Sequence, residues 1–404
     1  MTPPIQSLLD SGVLIPAPAL IHIDDDVDAS RIAPGTTLHP GTRLAGAATA
    51  IGPNCVIGSD GPVVLRDCQL GAGVALGSGT FHRCTLLDGV AVGPNAHIRP
   101  GCLLEEQSSC AHSVGLKHTL LMPHVIMGSL INFCDCMMTG GTSRTHHSEV
   151  GSSYIHFNYT PHGDKATPSL MGDVPSGVML NQAPIFLGGQ GGMVGPVRIA
   201  YGTVLAAGTI HRRDILEPGL LVVGSSHASS RPRPYQPGIY GDISRKLRNN
   251  TLYIGNLHAL REWYRRVRFL FVGTQHVTHS HAGALLRLDE LIDERVSHLD
   301  KLTERLSHSI DRARSASPGG LPDKPFALHQ QFIARWPSVK PTLASSALHP
   351  GNTTARDAFL ATLDATPDYL TAIKALSASA SAGGTGWLQS IVDSVADGME
   401  KETL

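Results

Sequence analysis

The chain has 404 residues, room for two or three domains, and its 42% hydrophobic and 16% charged content excludes a disordered polymer. A formal net charge of −1 gives no footing for a general nucleic-acid or anionic-membrane partner. There is no apolar run of about 18 residues, so no transmembrane helix is expected. The N-terminal Met-Thr-Pro-Pro-Ile lacks the basic and apolar stretches of a secretory signal, which makes a cytoplasmic location the expectation.

From about residue 20 to 225 the sequence carries a six-residue apolar period. Ile32, Leu38 and Leu44 are spaced by six, as are Ile51 and Ile57, Leu70 and Leu76, and Val92, Ile98 and Leu104. Val114, Leu120 and Ile126 continue in a new phase, which runs on through Asn132, Met138, Arg144, Val150 and His156; Val194 and Ala200 follow. This period suits neither a 3.6-residue helix nor a plain alternating strand. It suits short strands on the three sides of a prism, three hexapeptides to a coil, each coil burying its edge on the next. The predicted fold is mainly β: a left-handed parallel β-helix over residues 1–224, followed by an α-helical C-terminal region. All seven cysteines lie in the first half, and reduced thiols stacked inside a coil explain them better than a disulfide scaffold. Cys134-X-Cys136 alone is a weak metal signal, and no metal is favoured.

Polar residues enter the repeat at Asn132, Arg144 and His156, so 132–168 is the first place to look for a site. Arg99 and Lys117 are 18 residues apart, one full coil, and are expected to stack about 4.8 Å apart on one side. Two such cations point to an anion between them, such as a sugar phosphate. His112, His118 and His124 recur every six residues and would sit at successive corners; across a trimer interface they could hold zinc or act as a base. Gly188 to Gly192 reads as a flexible loop leaving the coil.

Beyond Gly224, residues 225–240 read as a proline-rich linker. Residues 241–312 read as a helical hairpin or coiled coil. The first helix carries a basic cluster of Arg261, Arg265, Arg266 and Arg268. The second has a leucine seam from Leu285 to Leu306 that Arg295 interrupts. After a linker at 313–326, residues 327–404 hold further helices, with a mobile Ala/Ser/Gly stretch at 378–385. No chemistry is apparent in residues 282–404.

The motifs Ile98-Arg99-Pro100-Gly101, Lys117, Val150 through Tyr159, Lys165, Met171-Gly172-Asp173 and Ala206-Ala207-Gly208-Thr209 occur in this order over about residues 11–214. In them the chain resembles the acetyltransferase domain of the bifunctional UDP-N-acetylglucosamine pyrophosphorylase/glucosamine-1-phosphate N-acetyltransferase family. That domain is a trimeric left-handed β-helix using acetyl-CoA. The resemblance implies that Arg99 and Lys117 hold a sugar phosphate and that Asn158, Tyr159 and Lys165 line the acceptor site. It implies that Ala206, Ala207, Gly208 and Thr209 approach acetyl-CoA or another acyl-CoA. It also implies a homotrimer acting on a small amino sugar or sugar phosphate, with no nucleic acid or membrane partner.

Three departures stand out. The family's nucleotidyltransferase domain is missing, so the chain is not expected to make UDP-sugars alone. Six extra residues separate Lys117 from Asn158. The family's catalytic histidine, 12 residues after the lysine and 23 before the asparagine, corresponds to Ser129 or Asp135. The base candidates are then His147, His156, His124 and His146. The leading expectation is an acyl-CoA-dependent N-acyltransferase acting on an amino sugar phosphate or related amine. The alternatives are a catalytically altered sugar-phosphate or nucleotide-sugar binding protein, and a zinc enzyme like the γ-class carbonic anhydrases.

Overall fold

The computed structural model describes residues 3–224, 235–273, 275–316, 323–366 and 368–403. Residues 20–224 wind into a parallel β-solenoid with three flat faces. The first face holds strands such as Ala96–Ile98 and Ile155–Phe157, and the second holds strands such as Cys102–Leu104 and Ser169–Met171. The third is a ladder of ten strands. Strands Gly115–Leu121 and Asn132–Met138 run across the corner from the first face to the second. His118 and Asp135 form that bend, with φ of 46° and 61°.

Alternation along each strand sends one column of side chains inward. On the first face this column is Phe81, Ile98, Leu116, Phe133, His156 and Met193, all buried. On the third it includes Leu38, Ile57, Leu76, Val92, Met127, Val150, Leu187 and Leu205. The phase expected after Val114 therefore holds at Met138, Val150 and His156 but fails at Leu120, Ile126 and Asn132, where Leu121, Met127 and Phe133 point inward instead. Of the three polar slots, only His156 points inward. Asn132 is an exposed outward residue beside Phe133, and Arg144 sits on a small protruding hairpin, Gly141–Ser143 with His146–His147. The cause is coil length: Leu116 pairs with Phe133, 17 residues on rather than 18, and that slip reverses inside and outside. The seven cysteines are free thiols, six of them buried.

The helices are α1 (Pro3–Asp10), α2 (Val174–Gly177), α3 (Ser244–Arg266), α4 (Gln275–Ala316), α5 (Asp323–Ala344), α6 (Thr353–Leu360), α7 (Tyr369–Lys374) and α8 (Ala378–Thr403). The short helix α1 closes the first coil with Ile5 and Leu8. The large C-terminal helices do not form a separate body. They pack on the second face, whose outward residues Leu103, Leu120, Met137 and Leu170 join a core with Leu257, Trp263, Leu288, Ile292 and Trp387. Each such side chain contributes about 2 kcal/mol by leaving water. Contact is close enough that a Cβ on Gly283 of α4 would lie 2.5 Å from Gln69 Oε1.

Several expectations change here. The leucine seam of α4 is spent on the solenoid and its neighbouring helices. Residues 378–385 begin α8, with a Cβ on Gly384 set to meet Met179 and Phe359. Gly188 to Gly192 stays in the coil as the corner from the third face to the first; a Cβ on Gly188 would lie 2.3 Å from Ala207 N. Most of the expected linker, 225–234, lies outside the described residues, as do 317–322. The basic cluster is paired within the chain: Arg268 is buried and donates to both Glu106 carboxylate oxygens at 2.6 and 2.7 Å, and Arg261 meets Asp289. No described helix is long and apolar enough to cross a membrane.

Candidate functional site

The first face is left uncovered by the described helices. The register pairs His97 with Gly115 and Ile98 with Leu116, which sets Arg99 beside Lys117 on the outside of adjacent coils. Lys117 pairs in turn with Cys134. Arg99 is held by its neighbours, with Nη2 donating to Cys134 Sγ at 3.1 Å and Nε to Leu116 O at 3.4 Å. Cys134 is thus outward and Cys136 inward, so the pair cannot close on one metal ion. Asn132, Ile155 and Phe157 complete the exposed patch.

One edge of this face is the bend at His118 and Asp135. Asp135, 4% exposed, accepts from Asn158 Nδ2 at 2.8 Å and from Arg295 Nη2 at 2.6 Å, and lies 3.3 Å from His118 Nδ1. Burial pushes the Asp135 carboxyl up, but the Arg295 guanidinium, with His118 behind it, holds it well below the usual carboxylate range. Asn158 is fixed from its other side by the Thr167 hydroxyl at 3.1 Å. Arg295 is fully buried on α4, which also brings Glu294 to 3.8 Å from His118. Residues 282–404 therefore supply a buried partner, Arg295, to the edge of the candidate face. The signal was present: a charged residue interrupting a leucine seam needs a buried partner.

The opposite edge is the corner from the third face to the first. There Ser129 Oγ lies 2.8 Å from His112 Nδ1, delivered from the preceding coil. Ser129 is one of the two positions, with Asp135 at the other edge, that spacing offers for the histidine of the resembling family. An imidazole is therefore present at this edge, on a different residue from any of the four base candidates.

Those four lie elsewhere. His156 is inside the coil, 2.8 Å from Ser169 Oγ and edge-on to Phe133. His124 is buried at the corner from the second face to the third. His146 and His147 belong to the hairpin at that same distant corner, engaged with Thr142 Oγ1 and Arg144 O. His112, His118 and His124 take three different corners, so they do not converge within one chain.

Burial holds the His156 imidazole down to about 4. Unfolding below pH 6.5 releases a histidine that then binds a proton, so this group favours the folded state fully above about pH 6.5. That contribution is lost as the pH falls from about 6.5 toward 4, at up to about 1.4 kcal/mol per pH unit. Denaturant titration of a His156→Gln variant is expected to show a shallower acid-side slope than the parent. Equal slopes would remove His156 as the cause.

Residues 158–168 leave the coil as a loop that carries Tyr159, 68% exposed, and an exposed Lys165 with φ of 56°. The loop is pinned by Asp164, which accepts from Tyr240 Oη at 2.6 Å and Lys246 Nζ at 2.8 Å. The turn Ala206 to Thr209 closes on itself through Thr209 Oγ1 donating to Ala206 O at 2.9 Å. It lies on the same edge as Ser129, three coils further along through Ser153, Gln190 and Gly208, or about 14 Å. Ala207 and Gly208 are exposed, and a Cβ on Gly208 would meet nothing within 4 Å.

No family model matches the chain. It is similar to the bifunctional protein GlmU of Geotalea uraniireducens, 29% identical over 218 residues, 54% of this chain and 42% of that protein. GlmU of Thermotoga petrophila is 28% identical over 211 residues, 52% of this chain and 42% of the relative. GlmU of Mycobacterium tuberculosis is 30% identical over 220 residues, 53% of this chain and 38% of the relative. The chain thus spans less than half the length of the curated relatives it matches.

Proposed function

We propose that the chain is an N-acyltransferase that moves an acyl group, acetyl in the simplest case, from coenzyme A to the amine of a phosphorylated amino sugar. The observation that carries this reading is the cation ladder of Arg99 and Lys117 on an uncovered face, with an imidazole at its edge. A phosphate between the two cations would fix the sugar by charge-assisted hydrogen bonds. Asn158, Tyr159 and Lys165 would line the acceptor side, and the turn at 206–209 would hold the coenzyme. Coenzyme A supplies the activated acyl group as a thioester. His112 would take the proton released as the amine nitrogen bonds to the acyl carbon, and would pass it to the sulfur as the carbon–sulfur bond breaks, so that coenzyme A leaves as the thiol.

The reading includes a homotrimer. Three prisms around an axis each offer two faces that share an edge, and the helices occupy only the second face. The first face and the third, with exposed Phe186, Val204 and Leu221, remain for partners. The shared edge carries Ser129 and His112. Light scattering of the full chain is expected to give three chains per particle.

The test uses thermal shift and calorimetry on the full chain. Acetyl-CoA or another acyl-CoA is expected to raise the melting temperature. Lys117→Ala is expected to weaken glucosamine-1-phosphate binding by about tenfold or more, leaving the coenzyme shift in place. No shift with any acyl-CoA would count heavily against acyl transfer. The lack of a histidine at both Ser129 and Asp135 favours a second reading, a binding protein without catalysis. It is distinguished by sugar-phosphate binding with no turnover.

A further inference from the structure

The C-terminal part of α4, the loop 158–168 and residues 235–240 line a cavity that includes neither the Arg99–Lys117 pair nor the turn at 206–209. Its volume is about 530 Å³, within the range of small-molecule sites. One wall is aromatic. The His162 ring is 6.2 Å from that of Tyr235 and within 13° of parallel, and it is 4.4 Å from that of Tyr240. The facing wall is cationic. Arg305, His308 and Arg312 follow at intervals of three and four on α4, so one stripe of the helix aims all three at the same space. Arg312 is steadied by donating to Pro237 O at 3.0 Å. Arg305 has no hydrogen bond or ion pair among the described residues. The single acid in the lining is Asp311.

An aromatic wall facing guanidinium groups selects a flat ring that carries phosphate. Bases stack on aromatic side chains regardless of identity, and guanidinium groups grip phosphate oxygens in pairs. We propose that this cavity binds a nucleoside diphosphate, its base against Tyr235 and His162 and its phosphates against Arg305 and Arg312. Gly238 N donates to His162 Nδ1 at 3.2 Å, and Tyr240 holds Asp164, so the cavity wall and the loop bearing Asn158 and Lys165 are one piece. Resting on the acyltransfer reading, such a ligand has two sources. It is either the handle of a nucleotide-linked amino sugar or the adenosine end of coenzyme A.

Calorimetry on the full chain with UDP, ADP and pyrophosphate separates these outcomes. At least one nucleotide is expected to bind more tightly than pyrophosphate. Arg305→Glu and Tyr235→Ala, both at exposed positions, are each expected to weaken it by about tenfold. Preference for UDP identifies the acceptor's handle, and preference for ADP identifies the coenzyme. Arg99→Ala is expected to leave nucleotide binding unchanged, so failure of the sugar-phosphate reading shows separately. Binding of neither nucleotide, or binding indifferent to both cavity variants, would overturn the proposal.

Discussion

Arg295→Met is expected to destabilise the protein by about 3–5 kcal/mol, the largest effect of any single change at the site. The argument is electrostatic. Asp135 is 4% exposed and Arg295 is fully buried, and they meet at 2.6 Å. Removing the guanidinium leaves a buried carboxylate with only Asn158 and a histidine for company, so its desolvation is no longer offset. The variant with both Asp135→Asn and Arg295→Met has no buried charge and is expected to recover most of the loss. Chemical denaturation of the parent and the two variants decides the matter. A single Arg295→Met as stable as the parent would show that the ion pair does not tie α4 to the bend.

The second large effect is kinetic. If His112 is the base, His112→Ala is expected to lower kcat by roughly 10²–10⁴ with little change in KM for the acyl donor. Stability is expected to hold, because His112 is exposed and spans no buried contact. Adding Ser129→His to that variant puts an imidazole at the same edge and is expected to restore part of the rate. Full activity in His112→Ala would assign the proton transfer to another group.

The site was half legible in the chain. Arg99 and Lys117 could be paired from a spacing of one coil, because a solenoid converts sequence distance into spatial distance almost linearly. The base could not. Coils here differ in length, and residues that share a corner are separated by 16 residues or more. The neighbour of Ser129 is thus fixed by the ladder register and not by any local pattern. Asp135 drew notice as a misfit for a histidine, yet its meaning needed Arg295, 160 residues away.

What the sequence determined by itself is the solenoid and the side on which its cations stack. A six-residue apolar period has few other ways to bury itself, and each coil is specified by contacts with the next. Only the tertiary structure decided where the helices go. The doubled apolar strands Leu103-Leu104, Leu120-Leu121 and Met137-Met138 say that the second face is buried on both sides, but not by what. The seam of α4 would serve a partner chain equally well. The complementary charges of Arg295 and Asp135 and the small Gly283 against Gln69 set its place on this solenoid, and those are contacts between segments that no local periodicity encodes.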